Sequence, residues 1–89
     1  MTPTNCPRAE LQIKKLRCTE VRDGLFSNEK MITVQELGNG SLKFIVPDDA
    51  VVKEYVVVHA FERGGTMFAI IPSEYPATVP VERDLLQPV

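Results

Sequence analysis

Apolar and polar residues alternate with a period of two along much of the chain, the spacing of strands whose successive side chains point to opposite faces of a sheet. Lys30 to Leu37 sets Ile32 and Val34 against Met31, Thr33 and Gln35, which predicts a half-buried strand. Gly38-Asn39-Gly40-Ser41 follows it, and an Asn-Gly pair accepts the positive φ angles of a tight hairpin. Leu42 to Val46 is therefore predicted to return antiparallel. Pro47-Asp48-Asp49 ends that strand, because proline donates no ladder hydrogen bond and aspartates favour turns. Tyr55 to Phe61 is rich in β-branched and aromatic residues, and Arg63-Gly64-Gly65-Thr66 turns it into Met67 to Ile71, a second hairpin.

The two ends of the chain carry weaker signals. Between Leu11 and Val21, Ile13 and Leu16 fit a helical face with Ala9, whereas Leu16 and Cys18 alternate with Arg17 and Thr19 as in a strand. A strand bulged at Lys14-Lys15 and preceded by a helical turn reconciles the two. Asp23-Gly24 marks a turn, and Ser27-Asn28-Glu29 extends a polar loop. Pro72, Pro76 and Pro80 limit the later chain to edge pairing around Val79 and Val81. Glu82-Arg83-Asp84-Leu85-Leu86 reads as one helical or 3₁₀ turn before Gln87-Pro88-Val89. Residues 1–8 read as a flexible tail, and 9–89 as a single domain.

The elements add up to roughly five or six short strands joined mostly by hairpins with no crossover helix, which predicts an antiparallel barrel or rolled sheet. Its short strands and the turn placed ahead of the last one suit a Src-homology-3-like barrel first and an oligonucleotide-binding-type barrel second. Pro72-Ser73-Glu74-Tyr75 resembles the Pro-Ser-Asn-Tyr stretch of true Src-homology-3 peptide binders. The aromatic, acidic start of that family is missing and the chain has no tryptophan, so the match is read as coincidence.

Composition narrows the classes. With 89 residues there is room for one hydrophobic core, and 44% hydrophobic with 25% charged residues is an ordinary globular balance. The apolar runs are far shorter than the roughly 20 residues of a membrane-spanning helix. A net charge of -2 supplies no long-range field for phosphates. Met1 to Arg8 has neither the positive start nor the apolar stretch of a secretory signal, so the cytoplasm is the expected compartment. There Cys6 is expected as a tail thiol and Cys18 as a small buried hydrophobe rather than as a disulfide. Two cysteines and one histidine do not fill a four-ligand zinc site without carboxylates, and no metal or other cofactor is predicted.

The strongest anomaly lies in the apolar runs. Phe44-Ile45-Val46, Tyr55-Val56-Val57-Val58 and Phe68-Ala69-Ile70-Ile71 are apolar on both faces, where a solvated antiparallel sheet alternates. The second face is expected to be covered within the chain or to meet another molecule. Ile45, Val56, Val58, Phe68 and Ile70 are the candidate contacts, although sequence alone leaves open which set faces inward. The leading expectation is a small β interaction module, bacterial in style, that self-associates as a homodimer or larger, or docks a protein partner through this face or a strand edge.

Second comes a nucleic-acid-binding barrel using Lys14, Lys15 and Arg17, with Arg22 nearby and Phe26 or Tyr55 for stacking. Glu10, Glu20 and Asp23 flank these cations, which favours a solvated face. A subunit of a small enzyme is third. His59 lies mid-strand with no nucleophile motif near it, and Asp48, Asp49 and Glu54 are read as turn residues rather than paired catalytic carboxylates, so no catalytic residue is assigned.

Overall fold

The computed structural model describes residues 11–89, so the expected tail, the helical turn involving Ala9, and Cys6 lie outside the described residues. The described chain is built almost entirely from antiparallel strands. In order they are β1 (Gln12–Arg17), β2 (Glu20–Asp23), β3 (Glu29–Glu36), β4 (Asn39–Pro47), a 3₁₀ turn (Asp48–Ala50), β5 (Val51–Val52), β6 (Tyr55–Arg63), β7 (Thr66–Ile71), β8 (Ala77–Val81), a second 3₁₀ turn (Arg83–Leu85) and β9 (Leu86–Pro88). The main sheet runs β8-β7-β6-β1-β9, with β5 paired to β6, and a side sheet runs β2-β3-β4. Both sheets are antiparallel, in keeping with the expected small antiparallel β domain, and barrel closure is not found among the described residues. No helix among the described residues is long and apolar enough to cross a membrane.

The nine strands outnumber the five or six expected because the Leu11–Val21 segment is divided between two strands and because the short β5 and β9 add to the count. β1 pairs with β6 in unbroken register from Gln12↔Ala60 to Arg17↔Tyr55, so the bulge expected at Lys14-Lys15 is absent. The interruption falls at Cys18-Thr19 instead. There the Cys18 amide donates to the Glu54 carbonyl and the Thr19 amide to the Thr33 carbonyl, each at 2.8 Å. One residue is thus bonded beside the main sheet and the next to the side sheet, and the chain steps between them with both amides satisfied.

The β3–β4 hairpin forms as predicted, but its turn is displaced. Leu37 and Gly38 occupy it, Gly38 takes φ +75°, and Asn39 already begins β4 behind a register shift at Gln35/Glu36. The Gly64-Gly65 turn matches expectation, with φ of +60° and +83° at its two central residues.

The inner faces of both sheets share one core. Leu16 from β1, Val56 and Val58 from β6, Ala69 and Ile71 from β7, and Val79 and Val81 from β8 meet Ile32, Val34 and Val46 of the side sheet. Within each strand these residues stand two apart, so the period of two in the sequence becomes the inward face. Leu16 is fully buried between Val56 on one neighbour and Leu86 on the other. Burial of side chains of this size stabilises by about 1.5–3 kcal/mol each, against the entropy cost of ordering the chain.

Candidate interaction face

The outer side of the main sheet follows from the same alternation. Because Val56, Val58 and Ala60 are buried, Tyr55, Val57, His59 and Phe61 of β6 project outward. Strand register then sets their neighbours. Ile13, His59, Ile70 and Thr78 form one row across β1, β6, β7 and β8, and Phe61, Phe68 and Pro80 form the next. Lys15 stands opposite Val57, and Arg17 opposite Tyr55.

The apolar members of these rows, Ile13, Phe61, Phe68, Ile70 and Pro80, lie with Val57 around the exposed His59, and the exposed Thr78 closes one end. Ile13 is 55% exposed, and the other five are half-buried. The Phe61 and Phe68 rings stack with centroids 5.3 Å apart and planes 18° from parallel, which fixes their orientation on the sheet. Such a pair adds about 0.5–1.5 kcal/mol beyond its area burial. At one margin the Lys15 ammonium lies 4.7 Å from the centre of the Tyr55 ring. Beside it Arg17 and Glu54 are 4.0 Å apart with both side chains more than half exposed, so their attraction is largely screened by water.

The five predicted contacts separate into three places. Phe68 and Ile70 lie on this face. Val56 and Val58 are in the core, with exposures of 0% and 2%, and present no outer surface. Ile45 belongs to the outer side of the other sheet, opposite Met31. The physical reason is that both alternation sets of β6 are apolar, so pattern alone did not choose between Val56/Val58 and Val57. Parity with Tyr55 and Phe61, which share the alternation set of Val57 and His59, was the available signal for the missed Val57. Ile13 was missed because its spacing from Ala9 and Leu16 also suits a helix.

The predicted basic cluster is divided by the pleat. Lys15 and Arg17 project outward, whereas Lys14 shares the side of Leu16 and lines a cavity of about 310 Å³ with Gln12, Glu62, Met67, Arg83 and Leu86. Within that cavity Arg83 and Glu62 stand 3.3 Å apart. Arg22 lies on the side sheet and pairs with Glu20. The four cations thus form no single stripe.

His59 is exposed in the middle of the apolar rows, between Ile13 and Ile70. Asp48 and Asp49 open the first 3₁₀ turn, as their turn chemistry predicted, and Glu54 sits in the turn between β5 and β6. Cys18 is buried and unbridged, and desolvation pushes its thiol up to about 11 against the opposing pull of a backbone hydrogen bond with Val56. A thiol held neutral in this way is a poor nucleophile. Among the described residues no group of three or more His, Cys, Asp or Glu is placed to hold a metal ion. No family model, curated protein or solved structure matches the chain.

Proposed function

We propose that the chain is a small β interaction module that associates with a second copy of itself through the outer face of the main sheet. The observation that carries this reading is the gathering of Ile13, Val57, Phe61, Phe68, Ile70 and Pro80 on one face of four adjacent strands, with His59 the polar residue among them. Large contiguous apolar patches are rare on monomers and common where two proteins meet. A two-fold pairing of such a face buries it against itself, and the rigid Phe61–Phe68 stack is a suitable centre because aromatic anchors dominate interface energetics.

In the same reading the fold is of the Src-homology-3-like kind. The 3₁₀ turn Arg83–Leu85 leads directly into the last strand, β9, which pairs with β1. We assign the module to the cytoplasm, in keeping with Cys18 as a buried, unbridged thiol.

Light scattering after size exclusion, across about a hundredfold range of concentration, tests the reading. The expected mass is twice that of the chain, falling to the monomer value for Ile70→Glu with the circular dichroism unchanged. A wild-type protein that stays monomeric over the whole range overturns it.

A further inference from the structure

A second surface, on the side sheet and separate from the face just described, has the form of a peptide site. β4 is nine residues long and lies at the edge of its sheet, paired only to β3. The direction of its peptide groups follows from the bonds around it. The Thr33 and Glu29 carbonyls accept from Thr19 and Gly24 on the β2 side, so the odd-numbered peptide groups of β3 face β2 and the even-numbered ones face β4. Through the pairs Ile32↔Phe44 and Val34↔Leu42, the even-numbered groups of β4 are then engaged. The N–H and C=O of Lys43 and Ile45 are left pointing out from the free edge. Pro47, with no N–H, ends this run of donors.

The end of β4 lines a groove of about 270 Å³, whose other lining residues include Pro72, Glu29 and Glu74 and no basic residue. Two loops bound it. One carries Leu25 and Phe26 beyond β2, and the other carries Tyr75 between β7 and β8. Leu25, Phe26 and Tyr75 are 90%, 64% and 82% exposed. The Tyr75 loop is shaped by two 2.8 Å hydrogen bonds, from the Ser73 amide to the Ile71 carbonyl and from the Ser73 hydroxyl to the Tyr75 carbonyl. The nearby Lys30 is engaged by Asp23 at 2.8 Å and does not neutralise the groove.

We infer that β4 and this groove bind an extended segment of a partner protein that carries lysine or arginine beside apolar residues. Outward N–H and C=O groups on alternate residues are matched by another strand, the apolar lining takes its alternate side chains, and Glu29 and Glu74 set the sign of the charge. Lys43, two residues back along the edge, disfavours a further cation there and disfavours the pairing of two β4 strands that lays Lys43 on Lys43.

The test is selection from a random twelve-residue peptide display library, followed by amide chemical-shift mapping of the selected peptide on the full chain. Enrichment of lysine or arginine in an alternating apolar pattern is expected, with shifts at Lys43, Ile45 and Glu74. Affinity should fall about fivefold for Glu74→Lys, an exposed and fold-neutral change, and should be lost when alternate peptide amides are methylated. Failure to enrich any peptide, selection of acidic peptides, or shifts confined to Ile13, Val57 and Ile70 overturns the inference. So does concentration-dependent shifting of the Lys43 and Ile45 amides without peptide, since the occupant is then a second copy. Self-association through the main sheet is read separately, from molecular mass and Ile70→Glu, so the two readings fail on different measurements.

Discussion

Val57 and Val58 are adjacent, chemically identical and on opposite sides of one sheet, so the same substitution at each separates core from surface. Val58 is 2% exposed and belongs to the shared core. Its change to alanine removes two buried carbons, about 1.6 kcal/mol of transfer free energy at about 0.8 kcal/mol per group. The space left behind adds to this, because close-packed neighbours relax only in part, and roughly 2–3 kcal/mol is expected in total. In a domain of this size such a loss lowers Tm by about 10–20 °C. Val57 is half-buried on the outer face opposite Lys15, and Val57→Ala should cost under about 0.5 kcal/mol in the dissociated chain. Its effect should instead appear as weaker self-association. Thermal and urea unfolding of both variants below the dissociation constant, with light scattering above it, measures each term separately. Equal destabilisation at the two positions, or a larger loss at Val57, refutes the assignment of faces from which the interaction surface was built.

Three further outcomes follow from local features. Lys53 adopts φ +57° in the turn between β5 and β6, and Lys53→Gly should raise stability by about 0.5–1 kcal/mol in urea unfolding, because glycine reaches that conformation without strain. Cys18 is raised from 9.0 to about 11, so the fold favours the neutral thiol. That contribution is whole below about pH 9 and is lost as pH rises through about 11, by roughly 2–3 kcal/mol at most, a loss that Cys18→Ala should abolish in alkaline unfolding curves. The hydrogen bond from Lys30 holds the exposed Asp23 carboxyl below its usual range, so its small contribution is present at neutral pH and lost as acid protonates it. Asp23→Asn should therefore flatten the acid limb of the stability profile while leaving the neutral Tm nearly unchanged.

The hairpins were legible because turn chemistry is local. Gly64-Gly65 supplies two positive φ angles wherever it stands, and Pro47-Asp48-Asp49 ends a strand without help from the rest of the chain. The fold class followed from these signals and from the period of two. The displaced Leu37-Gly38 turn shows their limit, since the neighbouring glycine rather than the Asn-Gly pair met the register that Ile32 and Val34 require. The crossing at Cys18-Thr19 was not legible. It depends on acceptors at Glu54 and Thr33, remote in sequence and placed by the strands they belong to. Likewise, the apolar runs announced a second face on β6 and β7, but which valine belonged to it depended on partners across two sheets. The site was thus visible as a surplus of apolar residues and invisible as a geometry.

The place of β1 in the main sheet also has a bearing on how the chain acquires its structure. Its two neighbours, β6 and β9, begin at Tyr55 and Leu86, whereas β2, β3 and β4 pair with strands next to them in sequence. During synthesis the side sheet can close while β1 is still without a partner. The entropy of closing the long loop from Leu16 to Val56 is paid before any core contact repays it. Until then Ile13 and Leu16 remain in water on opposite sides of an unpaired strand. The interval is one in which a nascent chain is open to a neighbouring copy, and its length is set by the rate at which β6 is made.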